Sequence, residues 1–281
     1  MHTRHLAAAV LAAFLFTINT LAADTVDATA PITLPSERSN LRASGFFAQS
    51  IDTRIRVDGH LNAGGQEWDF GTTIDMADQL NMETSVEVFR AEAMWNFGRS
   101  QRLDFAWFDM EERGHVALSE AIDFGDKDFG KGVTVDSYLK TNIFRLSYTY
   151  FVIQKPRAQL GLSLGVHLMK VNTGIGIANT AQEENTDVTA PLPVLGINFN
   201  YALTNRLLLR AHGEYLSVSY DNYEGELTDI YGAVEWRLNH NWSLGTGIEY
   251  FDINVVTSND RIRLAVEHDW IGYQVYASFR F

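Results

Sequence analysis

The most constraining feature of this chain is an alternation of period two that returns, segment after segment, from Gly45 to the last residue. Between Gln159 and Lys170, Leu160, Leu162, Leu164, Val166 and Leu168 share one face, while Gln159, Gly161, Ser163, Gly165, His167 and Met169 share the other. Side chains two apart on a strand lie on the same face, so such a segment is a strand with unlike sides. The same split sets Phe89, Ala91, Ala93, Trp95 and Phe97 against Arg90, Glu92 and Asn96, and Leu207, Leu209, Ala211 and Tyr215 against Arg210, His212 and Glu214. One face takes large apolar and aromatic groups. The other takes charge, amide, hydroxyl and glycine. A soluble sandwich would dress its polar face with long charged residues, whereas a membrane barrel puts lipid outside and a crowded polar lumen inside. Trp95, Phe97, Tyr201, Trp236 and Trp242 fall near strand ends, as an interfacial girdle requires.

The pattern predicts an all-β chain: a transmembrane antiparallel up-and-down barrel of about ten strands, with eight to twelve open. The strands are expected near 45–58, 85–97, 101–112, 135–153, 158–172, 190–203, 206–220, 223–238, 241–257 and 261–281. Gln66–Asp75 is either an extra strand or an extension above the membrane. In the last segment the apolar parity changes between Ile262-Leu264-Val266 and Ile271-Tyr273-Val275, which predicts a bulge or break there. Connections alternate between short (98–100, 154–156, 204–205, 239–241) and long (62–85, 113–133, 174–189), matching periplasmic turns and outer loops, although the outer connections at 221–222 and 258–260 are short.

The N-terminus reads as a signal peptide over residues 1–23. Arg4 supplies a basic start, Leu6 to Phe16 an apolar core, and Thr20-Leu21-Ala22-Ala23 small residues for cleavage. Residues 24–43 read as a flexible periplasmic lead with Pro31 and Pro35, and 44–281 as the barrel. The expected location is the bacterial outer membrane after export. There is no cysteine, so neither a disulfide nor a thiolate metal site is available. The net charge of −13 argues against a nucleic-acid partner.

Read inward, the alternation lists a charge lattice in the lumen: Arg90, Arg102, Arg145, Arg210, Arg237 and Arg280 against Glu92, Asp104, Glu214, Glu235 and Glu249. Near balance predicts cross-strand pairing, since buried charges are costly alone. The same residues could instead line a narrow pore selective for a small solute or ion. The excess acid falls to the outer loops: Asp109, Glu111, Glu112, Glu120, Asp123, Asp126, Asp128, Glu183, Glu184, Asp187, Asp221, Glu224 and Glu226. A solvated surface is the expected reading, with divalent cations shared with lipopolysaccharide phosphates as the sharper one. Asp126-Lys127-Asp128 fails as a calcium loop, because Lys131 stands where glycine is needed and Ser137 where glutamate is.

Chemistry is sparse. Glu267-His268-Asp269 and Asp126-x-Asp128 are the candidates for an omptin-like proteolytic rim site, the alternative reading. For a lipid A hydrolase, Ser163 and His167 share a face but stand about 13 Å apart along a strand, too far for a nucleophile and its base. His115 with Ser119 is a loop pair of unspecified geometry, and His212 with Glu214 reads as an ion pair. No phosphate loop, zinc motif or dinucleotide fingerprint is present, so neither a cofactor nor a metal is expected. The expectation is a non-enzymatic barrel with a structural, surface-interaction or narrow-channel role.

The final Gly272–Phe281 places Tyr273, Val275, Phe279 and Phe281 on one face. It resembles the C-terminal signal that the barrel-assembly machinery reads, which implies that machinery and outer-membrane lipid with lipopolysaccharide as partners. Across residues 44–281 the chain also resembles a poorly characterised group of proteobacterial outer-membrane β-barrels. The resembling stretches are Thr72-Thr73-Ile74-Asp75-Met76-Ala77-Asp78-Gln79-Leu80, Gly132-Val133-Thr134-Val135-Asp136-Ser137, Thr189-Ala190-Pro191-Leu192-Pro193-Val194-Leu195-Gly196 and Gly272–Phe281. The resemblance implies fold and location and transfers no site.

Overall fold

A computed structural model describes residues 30–281 except 64–65, 125–126, 179–182, 221–222 and 259–261. The 1–23 segment lies outside the described residues. In chain order the elements are β1 (Ser39–Ala63), β2 (Gln66–Asp75), α1 (Met76–Leu80), β3 (Val86–Phe97), β4 (Gln101–Ala117), β5 (Ile122–Phe124), β6 (Lys127–Phe129), β7 (Thr134–Lys155), β8 (Ala158–Ile177), β9 (Glu183–Ala202), β10 (Leu207–Tyr220), β11 (Tyr223–Arg237), β12 (Trp242–Ser258) and β13 (Ile262–Arg280). Ten of them (β1, β3, β4 and β7 to β13) pair antiparallel with their neighbours, and β13 returns to β1 to close the wall. Closure matters because lipid offers nothing to an unpaired backbone edge.

β2 is not an eleventh stave. It pairs with β1 over Arg54–Ala63, above the stretch Ser39–Ala48 where β3 pairs, and so extends the wall outward. The first strand begins at Ser39, inside the expected 24–43 lead. Asn40, Arg42 and Ser44 already point inward and are buried, and Leu34 N–H donates to the Pro156 carbonyl.

Outward positions form an apolar belt. Leu41, Phe89, Leu146, Leu164, Leu195, Ile230, Leu244 and Val275 are exposed on the outer face. Aromatics pack at tilted angles along its periplasmic edge, with Trp95 and Phe97 rings 5.2 Å apart and Trp242 and Phe279 rings 4.8 Å apart. Above the belt the outer face turns charged, at Asp109 and Glu111 on β4 and at Asp269 and Glu267 on β13.

The inner face departs from a uniformly polar lumen. Its periplasmic half is charged, but its outer half is an apolar core of Phe46, Phe108, Ile143, Leu192, Phe251 and Trp270. This explains the parity change in β13. The strand keeps its register with β12 throughout, and the irregularity lies in β1, between Gln49 and Asp52. At Trp270 the inner environment is already apolar, so an apolar residue of inward parity there needs no break in the strand.

A second apolar cluster (Ile55, Ile74, Met76, Leu80, Leu118, Phe129 and others) caps the mouth. α1 is held there by Asp75, whose carboxylate accepts from Asp78 N–H, and by Asn81 in the left-handed region at its end. Gly114 makes the docking possible, since a Cβ there would collide with the Leu80 carbonyl and lie 2.6 Å from Ser137 Oγ. Gly114→Val is expected to displace the cap at a cost of about 1–3 kcal/mol. Amide exchange over 76–85 should quicken while the barrel ladders stay protected; unchanged exchange would show that the cap does not depend on that contact.

Candidate functional site

The lower lumen is a lattice of ion-paired groups whose members come from all ten barrel strands and the preceding segment. In each case strand alternation puts the charged residue inside while its neighbours face lipid.

At the periplasmic end Glu235, fully buried, accepts from Arg210 Nε at 2.9 Å and lies 3.8 Å from Arg42 and 3.7 Å from Arg280. Glu37 accepts from Arg210 at 2.7 Å and from Arg280 at 3.2 Å. Arg42 pairs with Glu92 at 2.6 Å and lies 4.3 Å over the Tyr276 ring. In the middle Arg90 makes a two-pronged bond to Glu249, at 2.5 and 2.9 Å, with the Phe46 and Phe108 rings each 4.3 Å away. Planar guanidinium suits both contacts. On the far wall Arg145 bridges Glu214 at 3.1 Å and Asp229 at 2.9 Å and touches His212 at 3.0 Å. Glu214 also bonds His167 at 2.6 Å and accepts from Ser147 at 2.9 Å. Arg102 pairs with Asp104 at 2.7 Å and donates to Asn198 at 2.8 Å.

All eleven charged residues read from the sequence face inward, and ten of them join this lattice. Arg237 stands apart at the periplasmic end, where it donates to the Asn205 carbonyl. Three members escaped the sequence reading. Arg42 and Asp229 were legible by extending the parity of β1 and β11. Glu37 was not, since it precedes the first strand. With them the count is seven arginines (42, 90, 102, 145, 210, 237, 280) against seven carboxylates (37, 92, 104, 214, 229, 235, 249).

His167, Glu214 and Asp229 bring ligand-type atoms within 4.8 Å of one another. Arg145 already occupies that space, and a divalent ion would have to displace a guanidinium from a balanced set. The donor set does not fit a resident metal. The space left in the lattice is a cavity of about 100 Å³ lined by Arg90, Glu92, Arg145, His212, Glu214 and Glu249. At about 30 Å³ per water it holds roughly three.

The other candidates do not converge. Ser163 and His167 are both buried, but Ser163 accepts from Asn198 while His167 serves Glu214. Glu267 and Asp269 face outward and His268 inward, so that triplet forms no site. Asp126 lies outside the described residues. His115 pairs with Asp136 at 2.5 Å on the exposed outer wall. Glu112 is no surface carboxylate: it points into the capped mouth and is 2% exposed. It lies above the belt, five residues past Trp107, and burial with Glu83 nearby pushes its pKa up to about 8.

A closed, even-stranded antiparallel barrel with an apolar belt and short turns at one end defines the outer-membrane class of β-barrel. Comparison with solved structures agrees on the fold. The outer-membrane protease OmpT of Escherichia coli superposes with a TM-score of 0.51 at 9% identity, covering 91% of this chain and all of that one. The transport unit of the E. coli autotransporter AIDA-I gives 0.42 at 11% identity, covering 96% and 97%. OprG of Pseudomonas aeruginosa gives 0.35 at 11%, covering 90% and 99%. No family model and no curated sequence matches this chain.

Proposed function

We propose that this protein is a non-enzymatic, non-conducting outer-membrane barrel that serves as a rigid scaffold and presents its capped outer end for surface interaction. The observation that carries the reading is the two-layered filling of the bore. Six paired arginines and seven carboxylates fill the lower half, and aromatic and aliphatic side chains fill the upper half. An ion crossing this interior would have to break paired charges and then traverse an apolar layer, each costing several kcal/mol. The strands also run well past the belt, with 22 residues in β7 and 20 each in β8 and β9, against the roughly 9–11 that span a bilayer.

Export by the 1–23 segment belongs to the same reading, as does recognition of Tyr273, Val275, Phe279 and Phe281 by the barrel-assembly machinery. Tyr273, Val275 and Phe281 are exposed on the outer wall, as a sorting signal needs. Outer-membrane lipid, including lipopolysaccharide, would surround the belt.

The test is single-channel recording of the refolded, heat-modifiable protein in a planar bilayer. No discrete steps are expected at any salt concentration. Regular, salt-dependent steps that change with Arg210→Ala or Glu214→Ala would overturn the closed-scaffold reading and make the lattice a selectivity filter for a small solute or ion.

A further inference from the structure

Two ladders of the wall stop short of their strands' ends: β3 with β4 ends at Arg90–Phe108 although β3 begins at Val86, but the Met82–Gly114 bridge ties that gap again above, whereas the β9–β10 seam is not tied again among the described residues. β9 pairs with β10 only from Leu195–Tyr215 down to Ala202–Leu208, yet β10 continues to Tyr220 and β9 begins at Glu183. Their other edges are complete, since β8 pairs with β9 from Ala158–Tyr201 up to Gly176–Glu183 and β10 pairs with β11 up to Tyr220–Tyr223.

The cause is in the sequence. Pro191 and Pro193 have no N–H to give. In an antiparallel strand alternate residues direct their backbone groups to opposite neighbours. The ladder with β8 runs unbroken through Leu168–Pro191 and Val166–Pro193, so the two imide nitrogens face β10. Opposite them β10 directs the backbone carbonyls of Ser217 and Ser219 across the seam, and a proline has no donor to give them.

The seam starts at the top of the apolar belt. Leu195 and Tyr215 are the last exposed pair below it, and Leu168, beside Pro191, is still exposed on the outer face. Behind it is no polar lumen but the upper apolar core, where Leu192, Val194 and Leu216 are buried. The core also holds two unpartnered ring nitrogens on one strand, of which that of Trp270 is a donor. Trp270 Nε1 is buried with no partner, and so is His268 Nε2, whose Nδ1 bonds Thr53 at 2.7 Å. A continuous row of paired residues (His268, Ile253, Leu227, Leu216) ends at the seam.

We propose that the β9–β10 seam is a lateral port by which the aliphatic chain of a fatty-acyl molecule enters the upper core from the outer leaflet, with an acyl oxygen accepting from Trp270 Nε1. Unpaired backbone at membrane depth is tolerated only beside protein or a cavity, and the apolar core is what lies inside this one. The proposal goes beyond the closed-scaffold reading, because a barrel shut to ions can still admit a chain through its wall.

The test uses the full refolded chain in bilayers and reads the Trp270 component of fluorescence, taken as the difference from Trp270→Phe. One probe is phospholipid brominated on its acyl chains. The other is free stearic acid brominated in mid-chain, added to unbrominated bilayers. Loss of the Trp270 component with either probe is expected; loss with lipid alone makes a membrane lipid the source, and loss with the acid alone makes it a free fatty acid. Pro191→Val with Pro193→Val returns two donors to the β9 edge and should restore the fluorescence. Should that variant fail to fold, cysteines at 193 and 217 joined by a short bifunctional maleimide close the same seam in a chain with no other cysteine. An unquenched Trp270 with both probes, or quenching undiminished by closing the seam, overturns the proposal.

Discussion

Glu235→Ala is expected to lower the barrel's stability by about 3–5 kcal/mol, the range for removing one partner of a buried ion pair. Glu235 is fully buried and is shared by Arg210, Arg42 and Arg280, while Tyr276 donates to it at 3.3 Å. Its loss leaves Arg42 with Glu92 and leaves Arg210 and Arg280 to compete for Glu37. The effect should be partly undone by Arg210→Met in the same chain, because a hydrophobic side chain of similar volume removes the stranded charge. Reversible urea unfolding in lipid vesicles measures both. A double variant whose loss equals the sum of those of Glu235→Ala and Arg210→Met alone would mean that the two residues act independently, against a lattice of mutually supporting pairs.

Glu112→Gln should stabilise the capped outer end at pH 8 and erase its pH dependence. The folded carboxyl titrates near 8 against an ordinary 4.5, pushed up by burial and then by Glu83. Below about pH 4.5 the group is protonated in both states and makes no difference. As pH rises the unfolded form ionises first, so stability falls by about 1.4 kcal/mol per unit until the folded group also ionises. The whole window from 4.5 to 8 amounts to about 4–5 kcal/mol, borne by the cap around α1 rather than by the barrel. Amide exchange over 76–85, corrected for its intrinsic pH dependence, should lose protection between about pH 5 and 8 in the natural chain and stay level in the variant. A natural chain with level protection would mean that Glu112 finds a partner when it ionises.

Both effects arise from residues whose faces were legible but whose surroundings were not. Glu235 is inward by alternation with Trp236 and Val234, and period two is a local property of the backbone. Glu112 shares that inward parity with Met110, yet a carboxylate near a loop reads as solvated until the folded cap above it is known. Glu37 stood in a segment with no periodicity, and only closure of the barrel carries it to Arg210 and Arg280. The parity change in β13 likewise reads as a bulge when the lumen is assumed polar along its full length.

The sequence by itself determined the class of fold. Ten alternating segments with apolar outer faces admit only a closed antiparallel wall, because lipid tolerates no unpaired strand and strand parity decides which face each side chain takes. The tertiary structure alone decided what fills the bore. Which arginine meets which carboxylate, and where the inner face turns from charged to apolar, depend on the stagger between strands far apart in sequence. The prolines at 191 and 193 show both halves of this: their missing donors are written in the chain, but which neighbour loses them depends on which edge of β9 those residues present.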